Sequence, residues 1–401
     1  MPDSFLPYGK QFIDESDIAA VVEALQSDFL TCGPQVEAFE KAFAEFVGAK
    51  HAIVVCNATA ALHLAMLVAE IGPGDRVVTS PNTFLSSANC AAFVGATPDF
   101  VDIDPDTYTL CPKALEQNWK DDTKAVVAVA YAGQSANMPE IARIARERGA
   151  IVIEDACHGT GGGFQVDGQV YQQGGHPWAD ITTFSFHPVK TLTTGEGGIL
   201  LTENDDYAAK ARLLRTHGMT RESETFQGLG SETPALTEQG PWYYEMQELG
   251  YNFRITDLQC ALGLSQLAKL PDFIERRRNI VAQYNRDLAD IPWLRTPALL
   301  REEDREHISW HLYTVQIDFE ALGKSRTEVM TELRENGIGT QVLYIPVYLQ
   351  PFYRREYGYA EGKCPNAESY YQKALSLPLF PAMSANDAAR VVKAVRELRP
   401  S

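Results

Sequence analysis

Short apolar, β-rich segments alternate with helical patterns through the first two hundred residues, and this alternation restricts the fold more than any other feature. Several helical patterns lie between these segments, at 59–70, 84–94 and 138–149. Apolar residues on both faces are typical of strands buried within a sheet. The order therefore predicts an α/β domain with a mostly parallel sheet. The strand-like segments are HAIVV (51–55), RVVTS (76–80), PDFVDI (98–103), AVVAVAYAG (125–133), IVIED (151–155) and ITTFSF (181–186).

The pattern changes after residue 217. Segment 218–250 is polar, rich in glycine and glutamate, and too long for a connector, which is typical of a functional or disordered loop. From the elements that follow we predict a smaller C-terminal α+β domain over 256–401, after a large domain with an N-terminal arm over 1–255. Those elements are helical patterns at 256–270 and 271–290, then strand, helix, strand and helix patterns at 310–317, 326–337, 340–345 and 385–398.

Charge and cysteine content exclude some partners. Lys and Arg number 35 against 53 Asp and Glu, which gives 401 residues a net charge of −18. Because nucleic acids and anionic membranes both attract basic surfaces, we predict neither as a partner. No apolar run approaches the roughly 20 residues that span a bilayer, and the N-terminus lacks a signal-peptide pattern. The seven cysteines are scattered singly, which favours reduced thiols and a cytoplasmic location, and we predict no metal site.

Lys190 is the first candidate for chemistry. It lies in FSFHPVKTLTTGEGG (184–198), between an apolar strand pattern and a glycine-rich loop. Most loop lysines are solvated, but this one follows a buried strand, and ligands of open α/β sheets bind at strand ends. Burial disfavours the ammonium and lowers its pKa, and an uncharged lysine amine can form a Schiff base.

Segment IVIEDACHGTGGG (151–163) places Asp155 at the end of another strand and His158 three residues later. The carboxylate could be structural, or it could pair with the ring nitrogen of a heterocyclic cofactor. The glycines do not match the dinucleotide motif G-x-G-x-x-G, because Phe164 occupies the third glycine position. A nicotinamide-dependent oxidoreductase is therefore disfavoured.

Two further strand ends carry weaker signals. Asn57, Ala58 and Thr59 open a helix, where free N–H groups, a hydroxyl and the helix dipole suit either a simple N-cap or a bound phosphate. Phe84, in SPNTFLSSAN, could belong to the core or cover one face of a flat ring.

Taken in order, these motifs resemble those of the DegT/DnrJ/EryC1/StrS family of aminotransferases. The resemblance runs over nearly the whole chain, from LPYGKQFIDESDI to LSLPLFPAMS. It implies the pyridoxal-phosphate-dependent transferase fold type I, like that of aspartate aminotransferase, with the cofactor bound by the large domain. Pyridoxal 5′-phosphate would be the cofactor and pyridoxamine 5′-phosphate its intermediate form.

The resemblance also implies roles around the cofactor ring. Lys190 matches the catalytic lysine that joins the cofactor as an imine, and Asp155 matches the partner of the pyridine nitrogen. Phe84 would stack on the ring, with His158 close to its other side or edge.

For the cofactor phosphate, the resemblance implies Thr59, the backbone of Ala60, and Ser185. Asn252, in GYNFRITDLQCA, matches a residue that reaches the phosphate in the neighbouring subunit. A homodimer with composite active sites is therefore expected.

A narrower resemblance, through SDFLTCGP, SFHPVK, HGMTR and GPWYYEMQELGYN, is to the branch that makes UDP-4-amino-4,6-dideoxy-N-acetyl-β-L-altrosamine, a step toward pseudaminic acid. It implies a UDP-linked 4-keto-6-deoxy sugar and L-glutamate as substrates. Arg221 and Arg254 are candidates for the pyrophosphate. The residues expected on the sugar-nucleotide side are Tyr8, Asp28, Phe29, Leu30, Thr31, Asn57, Leu343, Tyr344 and Ile345.

The chain departs from the family pattern at Leu343, where histidine is common, at Ala58, where many members have glycine, and in the long 218–250 segment. These departures leave open an aminotransferase for a different nucleotide-linked keto-sugar. A sugar dehydratase is disfavoured, because such relatives carry histidine in place of the lysine at position 190. A non-catalytic relative of the fold would not respond to glutamate.

Overall fold

The computed structural model describes residues 5–233 and 238–398, and it contains a large sheet and a small sheet, each packed against helices. The helices are α1 (Glu15–Gln26), α2 (Pro34–Val47), α3 (Ala58–Val68), α4 (Ser86–Phe93), α5 (Pro112–Gln117), α6 (Met138–Arg146), α7 (Asp205–Arg215), α8 (Asp257–Leu288), α9 (Phe319–Leu322), α10 (Arg326–Glu335), α11 (Pro351–Tyr357), α12 (Pro365–Lys373) and α13 (Ala385–Glu397). The strands are β1 (His51–Val55), β2 (Arg76–Thr79), β3 (Thr97–Phe100), β4 (Thr123–Val129), β5 (Ile151–Asp155), β6 (Gly163–Val166), β7 (Gln169–Gln172), β8 (Ile181–Ser185), β9 (Gly198–Thr202), β10 (Met219–Thr220), β11 (Glu245–Met246), β12 (Leu294–Arg295), β13 (Tyr313–Ile317) and β14 (Ala374–Leu377).

The large sheet has seven strands in the order β1-β9-β8-β5-β4-β2-β3. Strand β9 is antiparallel to both neighbours, and every other neighbouring pair is parallel. The predicted mostly parallel sheet is therefore confirmed. Helices α3, α4 and α7 form one apolar core with it, and α2 and the first half of α8 form another, so both faces are covered. The carboxyl ends of β1, β2, β4, β5 and β8 consequently meet at one edge.

Helix α8 corrects the prediction of two helices that meet at Pro271, because it runs through that residue without interruption for 32 residues. Proline has no N–H for the carbonyl of Leu267, but packing on both sides of this point supports the helix. Leu270 packs in the core of the large sheet, and Tyr284 and Leu288 pack in the core of the small sheet. Because α8 contributes to both cores, the domain boundary at 255/256 stays a prediction.

The small sheet has three antiparallel strands in the order β12-β13-β14. The strand predicted at 340–345 is wrong, since this segment makes a single isolated bridge from Gln341 to Ser376. The carbonyl of Leu343 instead accepts hydrogen bonds from the hydroxyls of Tyr131 and Tyr370, so side chains take the place of a neighbouring strand.

The long 218–250 segment is partly organised by a buried carboxylate. Glu245, in β11, accepts hydrogen bonds from the amides of Gln227 and Gly228, at 2.6 and 2.8 Å, and from the Tyr243 hydroxyl at 2.7 Å. Residues 234–237 of this segment lie outside the described residues. Within the described parts of the chain, no helix combines the length and the apolar character needed to cross a membrane.

Candidate active site

A cavity of about 500 Å³ opens where the carboxyl ends of the large-sheet strands meet. It brings together side chains from five different strand ends. Of the residues predicted from sequence, its walls include Tyr8, Asn57, Thr59, Phe84, Asp155, His158, Ser185, Lys190, Leu343 and Tyr344. We call it the Lys190 cavity.

Lys190 lies in the loop after β8, and its amide donates to the carbonyl of His187 at 2.9 Å. Burial of the side chain lowers its pKa below the ordinary value, and the nearby Cys157 and Asp155 side chains oppose this effect. A larger share of the amine is therefore uncharged than in water, which is the form that acts as a nucleophile or a base.

Asp155 ends β5 and is only 5 % exposed. Its Oδ2 accepts a hydrogen bond from the hydroxyl of Ser87 at 2.5 Å, and its Oδ1 accepts one from the amide of Cys157 at 3.2 Å. The Ser87 hydroxyl also lies 2.7 Å from that of Thr83. Neutral donors thus fix the orientation of the carboxylate, and its charge remains available for a cationic ring nitrogen.

The first turn of α3 forms another part of the wall. Asn57 caps this helix, because its Oδ1 accepts from the amide of Ala60 at 2.9 Å. That amide, which the resemblance assigned to the phosphate, is therefore engaged by the cap. The amides of Ala58 and Thr59 precede it, where helix amides have no intrahelical acceptor. Gly198 of β9 permits this arrangement, since a Cβ there would lie 2.5 Å from the nitrogen of Ala58.

His158 and Tyr344 form a connected pair on the walls. The amide of Ala132 donates to Nδ1 of His158 at 3.3 Å, and Nε2 lies 3.2 Å from the Tyr344 hydroxyl. Burial, assisted by the charge of Lys190, holds the pKa of His158 well below its ordinary value, so the ring is neutral. With Nδ1 accepting, the proton lies on Nε2 and is donated to Tyr344, whose own hydroxyl proton is then free to donate to a ligand.

Phe84 is 57 % exposed, with its ring centroid 6.3 Å from that of Tyr344. This exposed ring face at the cavity can cover a flat ligand, as the resemblance implies. Next to the cavity wall, Ile345 is 45 % exposed and is not a wall residue.

The other predicted residues lie outside this cavity. Asp28, Phe29, Leu30 and Thr31 lie beside the start of α8, where the Leu30 carbonyl accepts from the amide of Asp257 at 3.0 Å. Asn252 is exposed and forms an isolated bridge with Thr216.

Neither arginine proposed for the pyrophosphate lies on the walls of the Lys190 cavity. Arg254 borders a separate cavity near Cys32 and Thr216, and Arg221 is exposed in the 218–250 segment. Within one chain, the described residues therefore bring together the ring-binding and amine groups but not these cations.

Sequence reasoning missed the hydroxyls of Thr83, Ser86 and Ser87. The Ser86 hydroxyl lies 2.7 Å from that of Thr59, so it orients a predicted phosphate ligand as Ser87 orients Asp155. The signal was present in FLSSAN, where two serines open the helix that follows a strand end.

These groups fit pyridoxal phosphate. The ring nitrogen would pair with Asp155, and the aldehyde carbon would meet Lys190. The phosphate would lie at the start of α3 against Thr59 and Ser185, where amides, hydroxyls and the helix dipole favour an anion. The ring nitrogen, the aldehyde carbon and the phosphate thus each have a suitable group on the walls of one cavity, whereas the predicted contacts from Ala60 and Asn252 are not among these groups.

Comparison with known proteins agrees with this fit. The model of the DegT/DnrJ/EryC1/StrS aminotransferase family matches residues 11–396. The spore coat polysaccharide biosynthesis protein SpsC of Bacillus subtilis is 43 % identical over 397 residues, which cover 98 % of this chain and 97 % of SpsC.

Solved structures agree as well. PseC of Helicobacter pylori, an aminotransferase involved in the biosynthesis of pseudoaminic acid, superposes with a TM-score of 0.87 at 28 % identity, over 98 % of this chain and 99 % of PseC. The PLP form of Spr1654 from Streptococcus pneumoniae gives a TM-score of 0.85 at 27 % identity, over 98 % of both chains. The expected fold type I and the expected cofactor are confirmed by these likenesses. The chain therefore belongs to the DegT/DnrJ/EryC1/StrS aminotransferase family and is a PLP-dependent sugar aminotransferase.

Proposed function

We propose that this chain transfers an amino group from L-glutamate to C4 of a UDP-linked 4-keto-6-deoxy-N-acetylhexosamine. The product would be a UDP-4-amino-4,6-dideoxy sugar of the N-acetyl-β-L-altrosamine type, a precursor of pseudaminic acid. The observation that supports aminotransfer is that Lys190, Asp155 and the start of α3 all line one cavity. The choice of sugar is supported by the likeness to PseC.

The cofactor, when bound, supplies the electron sink that stabilises the carbanion at the reacting carbon. Lys190 is the group that moves protons. Its amine would take the proton from the α-carbon of glutamate in the first half-reaction and would deliver a proton to C4 of the sugar in the second. Burial lowers the pKa of this amine, which suits a group that must accept and return a proton near neutral pH.

Asp155 would hold the ring nitrogen in its protonated form, and Ser87 would keep the carboxylate in place through its 2.5 Å hydrogen bond. Tyr344, which accepts from His158, would present its own hydroxyl proton to an oxygen of the bound sugar. An acceptor oxygen such as a carbonyl would therefore be favoured beside Tyr344.

The working unit would be a homodimer with composite active sites. This proposal is supported by the positions of Asn252 and of Asp28 to Thr31, which lie away from the Lys190 cavity of their own chain. Their exposed side chains could then complete the cavity of the partner subunit. The large and small domains would be those predicted, 1–255 and 256–401.

An aminotransferase for a different nucleotide-linked keto-sugar is the second candidate. This chain is 43 % identical to SpsC and 28 % identical to PseC. Because the name of SpsC refers to spore coat polysaccharide biosynthesis, the higher identity favours this second candidate. The catalytic residues would be the same, and only the sugar-nucleotide side would differ.

The deciding experiment incubates the PLP-loaded enzyme with L-glutamate and each of several nucleotide-linked 4-keto sugars, and measures 2-oxoglutarate and the mass of the amino sugar. We expect the UDP-linked 4-keto-6-deoxy-N-acetylhexosamine to give the highest kcat/KM. A higher kcat/KM with another sugar would establish the second candidate. No 2-oxoglutarate with any sugar, together with no change of the cofactor's visible band on adding glutamate, would contradict both.

A further inference from the structure

A second imidazole packs against His158. The ring centroids of His158 and His311 are 4.5 Å apart, and the two residues are only 5 % and 4 % exposed. His158 is a wall residue of the Lys190 cavity, and its Nε2 lies 3.2 Å from the hydroxyl of Tyr344, another wall residue. His311 itself is not among the wall residues. A path of contacts therefore runs from His311 through His158 to a hydroxyl at the cavity.

The segment 309–311, which leads into β13 of the small sheet, contacts His158 in other ways as well. The Ser309 hydroxyl donates to the carbonyl of His158 at 3.3 Å. The amide of His311 donates to the carbonyl of Ala132 at 2.9 Å, and the amide of Ala132 donates to Nδ1 of His158 at 3.3 Å. One ring contact and two hydrogen-bonded connections thus join this segment to a single imidazole.

The backbone is unusual where the segment 309–311 meets the turn 131–133. Ala132 and Trp310 have positive φ angles, 59° and 43°, which residues other than glycine seldom adopt. A Cβ on Gly133 would lie 2.8 Å from the nitrogen of Trp310, so only glycine permits this close approach. Strained positions persist where the surrounding structure holds them, and they cluster at functional sites. The contact between the two segments is therefore a specific feature of the fold.

A buried arginine holds the same segment from the side of α8. Arg277 is 0 % exposed, and its Nη1 is the donor to the carbonyls of Trp310 and His311, both at 3.3 Å, and of Leu379 at 2.9 Å. Because α8 packs in the cores of both sheets, the guanidinium connects the segment to the helix that joins them. The framework of the molecule consequently sets the position of His311.

The contact with Ala132 determines which nitrogen of His158 carries the proton. The amide hydrogen of Ala132 points at Nδ1, so Nδ1 accepts and the proton lies on Nε2, toward Tyr344. Nδ1 of His311 is buried and has no partner among the described residues. The His311 ring therefore gains nothing from a hydrogen bond at that atom, and its contribution to His158 is packing and the exclusion of water.

Both imidazoles are held neutral. Burial, assisted by the charge of Lys190, lowers the pKa of each ring well below its ordinary value, and Arg277 lowers the pKa of His311 further. A proton on Nδ1 of His158 would also face the amide hydrogen of Ala132, so a charged ring would have to turn away from Tyr344. The ionisable groups around the two rings are Tyr131, His187, Lys190, Arg277 and Tyr344.

We propose that His311 is a positioning residue for aminotransfer. Its ring excludes water from His158 and holds that imidazole with Nε2–H toward the Tyr344 hydroxyl, so that Tyr344 keeps its own proton for the sugar oxygen. This inference rests on the proposed contact between Tyr344 and the sugar. His311 should consequently matter in the half-reaction with the keto-sugar and much less in the half-reaction with glutamate.

Stopped-flow absorbance of the bound cofactor separates the two half-reactions. The PLP-loaded enzyme is mixed with L-glutamate, and the pyridoxamine-phosphate form is mixed with the UDP-linked 4-keto-6-deoxy-N-acetylhexosamine. His311→Ala opens space beside His158, so we expect the sugar half-reaction to slow about tenfold and the glutamate half-reaction to change less than about twofold. His311→Leu fills a similar volume and should keep the sugar half-reaction within about threefold of the wild type.

The control for these variants is His51→Ala, because His51 lies at the start of β1 and pairs with Asp205 on the surface. It should leave both half-reactions unchanged. If His311→Ala does not fold, His311→Asn, which is also smaller than histidine, replaces it in every measurement.

NMR of the PLP-loaded enzyme measures the state of His158 without a substrate. The eight histidines are labelled with ¹³C at Cε1, and His158→Gln assigns the signal of His158. In the wild type and in His311→Leu, we expect this signal not to titrate between about pH 6 and about pH 8. In His311→Ala, water reaches the ring, and the signal should titrate within that range.

Equal slowing of both half-reactions in His311→Ala would indicate a merely structural role and would overturn the inference. So would a His158 signal that does not titrate in this variant.

Tyr344→Phe separates this inference from the proposed function. A slow sugar half-reaction in Tyr344→Phe, with a normal one in His311→Ala, would contradict the role of His311 alone. A normal sugar half-reaction in Tyr344→Phe would contradict the contact between Tyr344 and the sugar, and with it the role of His311. If the keto-sugar is not aminated at all, the proposed substrate fails, and the titration of His158 alone decides whether His311 holds it.

Discussion

Two regions of this protein, the Lys190 cavity and the packing around Tyr108, differ in how their polar side chains find partners. In the Lys190 cavity, Ser87 holds Asp155, and His158 lies between the amide of Ala132 and the Tyr344 hydroxyl. Around Tyr108, by contrast, the buried hydroxyl of this residue has no partner among the described residues. The first is therefore a preorganised site whose groups are oriented before a ligand arrives, as catalysis requires. The second leaves a buried hydroxyl without a hydrogen-bond partner, which packing alone must tolerate.

The variant with the largest expected effect is Lys190→Ala. We expect kcat to fall roughly 10²–10⁴-fold, because the variant loses the group that moves the proton, and the visible band of the bound cofactor to disappear. Initial rates of 2-oxoglutarate formation and the absorption spectrum measure both effects. Lys393→Met, on the exposed face of α13, is the control and should match the wild type. Full turnover in Lys190→Ala would contradict a role of the Lys190 cavity in the reaction.

Asp155→Asn keeps the shape of the side chain and removes its charge. We expect a loss in kcat on the order of 10²-fold, because the ring nitrogen loses the carboxylate that keeps it protonated. Steady-state kinetics with glutamate measure the loss. The control is Asp167→Asn, since Asp167 is exposed in a turn with positive φ, which asparagine also tolerates. Equal kinetics in the two variants would contradict the role of Asp155.

Ser86 and Ser87 are adjacent on α4 but contact different residues, so their alanine variants should separate the orientation of Asp155 from the retention of the cofactor. Ser87→Ala removes the donor to Asp155, so we expect kcat to fall about tenfold, as for a hydrogen bond to a charged group. Ser86→Ala instead removes the contact with Thr59, and we expect weaker retention of the cofactor with a smaller change in kcat. Kinetics and dialysis of the loaded enzyme measure the two. Identical behaviour of both variants would mean that the orientation of Asp155 does not limit the rate.

The cofactor-free protein should show the cost of burying an amine in the Lys190 cavity. Burial lowers the pKa of Lys190 below 10.5, so between the folded-state pKa and 10.5 the folded chain binds fewer protons than the unfolded chain. Its stability therefore rises with pH in that window. We expect Lys190→Met to be more stable than the wild type at neutral pH, with a difference that shrinks as pH approaches 10.5. Urea unfolding at several pH values measures it, and a pH-independent difference would contradict the burial effect.

The smallest expected effect is that of a change at Tyr108. Tyr108→Phe removes a hydroxyl that has no protein partner, so the free energy of unfolding should change by less than about 0.5 kcal/mol. Tyr131→Phe removes hydrogen bonds to Leu343 and Tyr370 and should cost about 1–2 kcal/mol. Urea unfolding of the ligand-free protein compares them. Equal losses would show that Tyr108 has a partner within the protein.

The sequence predicted the mostly parallel sheet because its strands are apolar on both faces, a pattern that few other structures require. It also placed Lys190 and Asp155 at strand ends, and parallel topology brings such ends together. The local sequence pattern could not show that residues 340–345 are not a strand. The carbonyl of Leu343 accepts hydrogen bonds from Tyr131 and Tyr370, which are distant in sequence. The helix boundary predicted at Pro271 was wrong for the same reason. The packing that stabilises α8 on both sides of Pro271 comes from elements distant in sequence.

The Ser87 hydroxyl illustrates a different limit. A serine in the first turn of a helix suggests a role in the helix itself, and only the tertiary structure shows that it lies 2.5 Å from a carboxylate 68 positions away.

Helix α8 also restricts how this chain can vary in length. Its first half packs in the core of the large sheet and its second half in the core of the small sheet. The continuous helix therefore fixes the rotation, about its axis, of the side chains in one half relative to those in the other. Adding or deleting a single residue near Pro271 would turn one half relative to the other by about 100°, since a helix has 3.6 residues per turn. Tyr284 and Leu288 would then face solvent. Lineages that carry this helix should tolerate exchanged side chains along it far more readily than insertions or deletions.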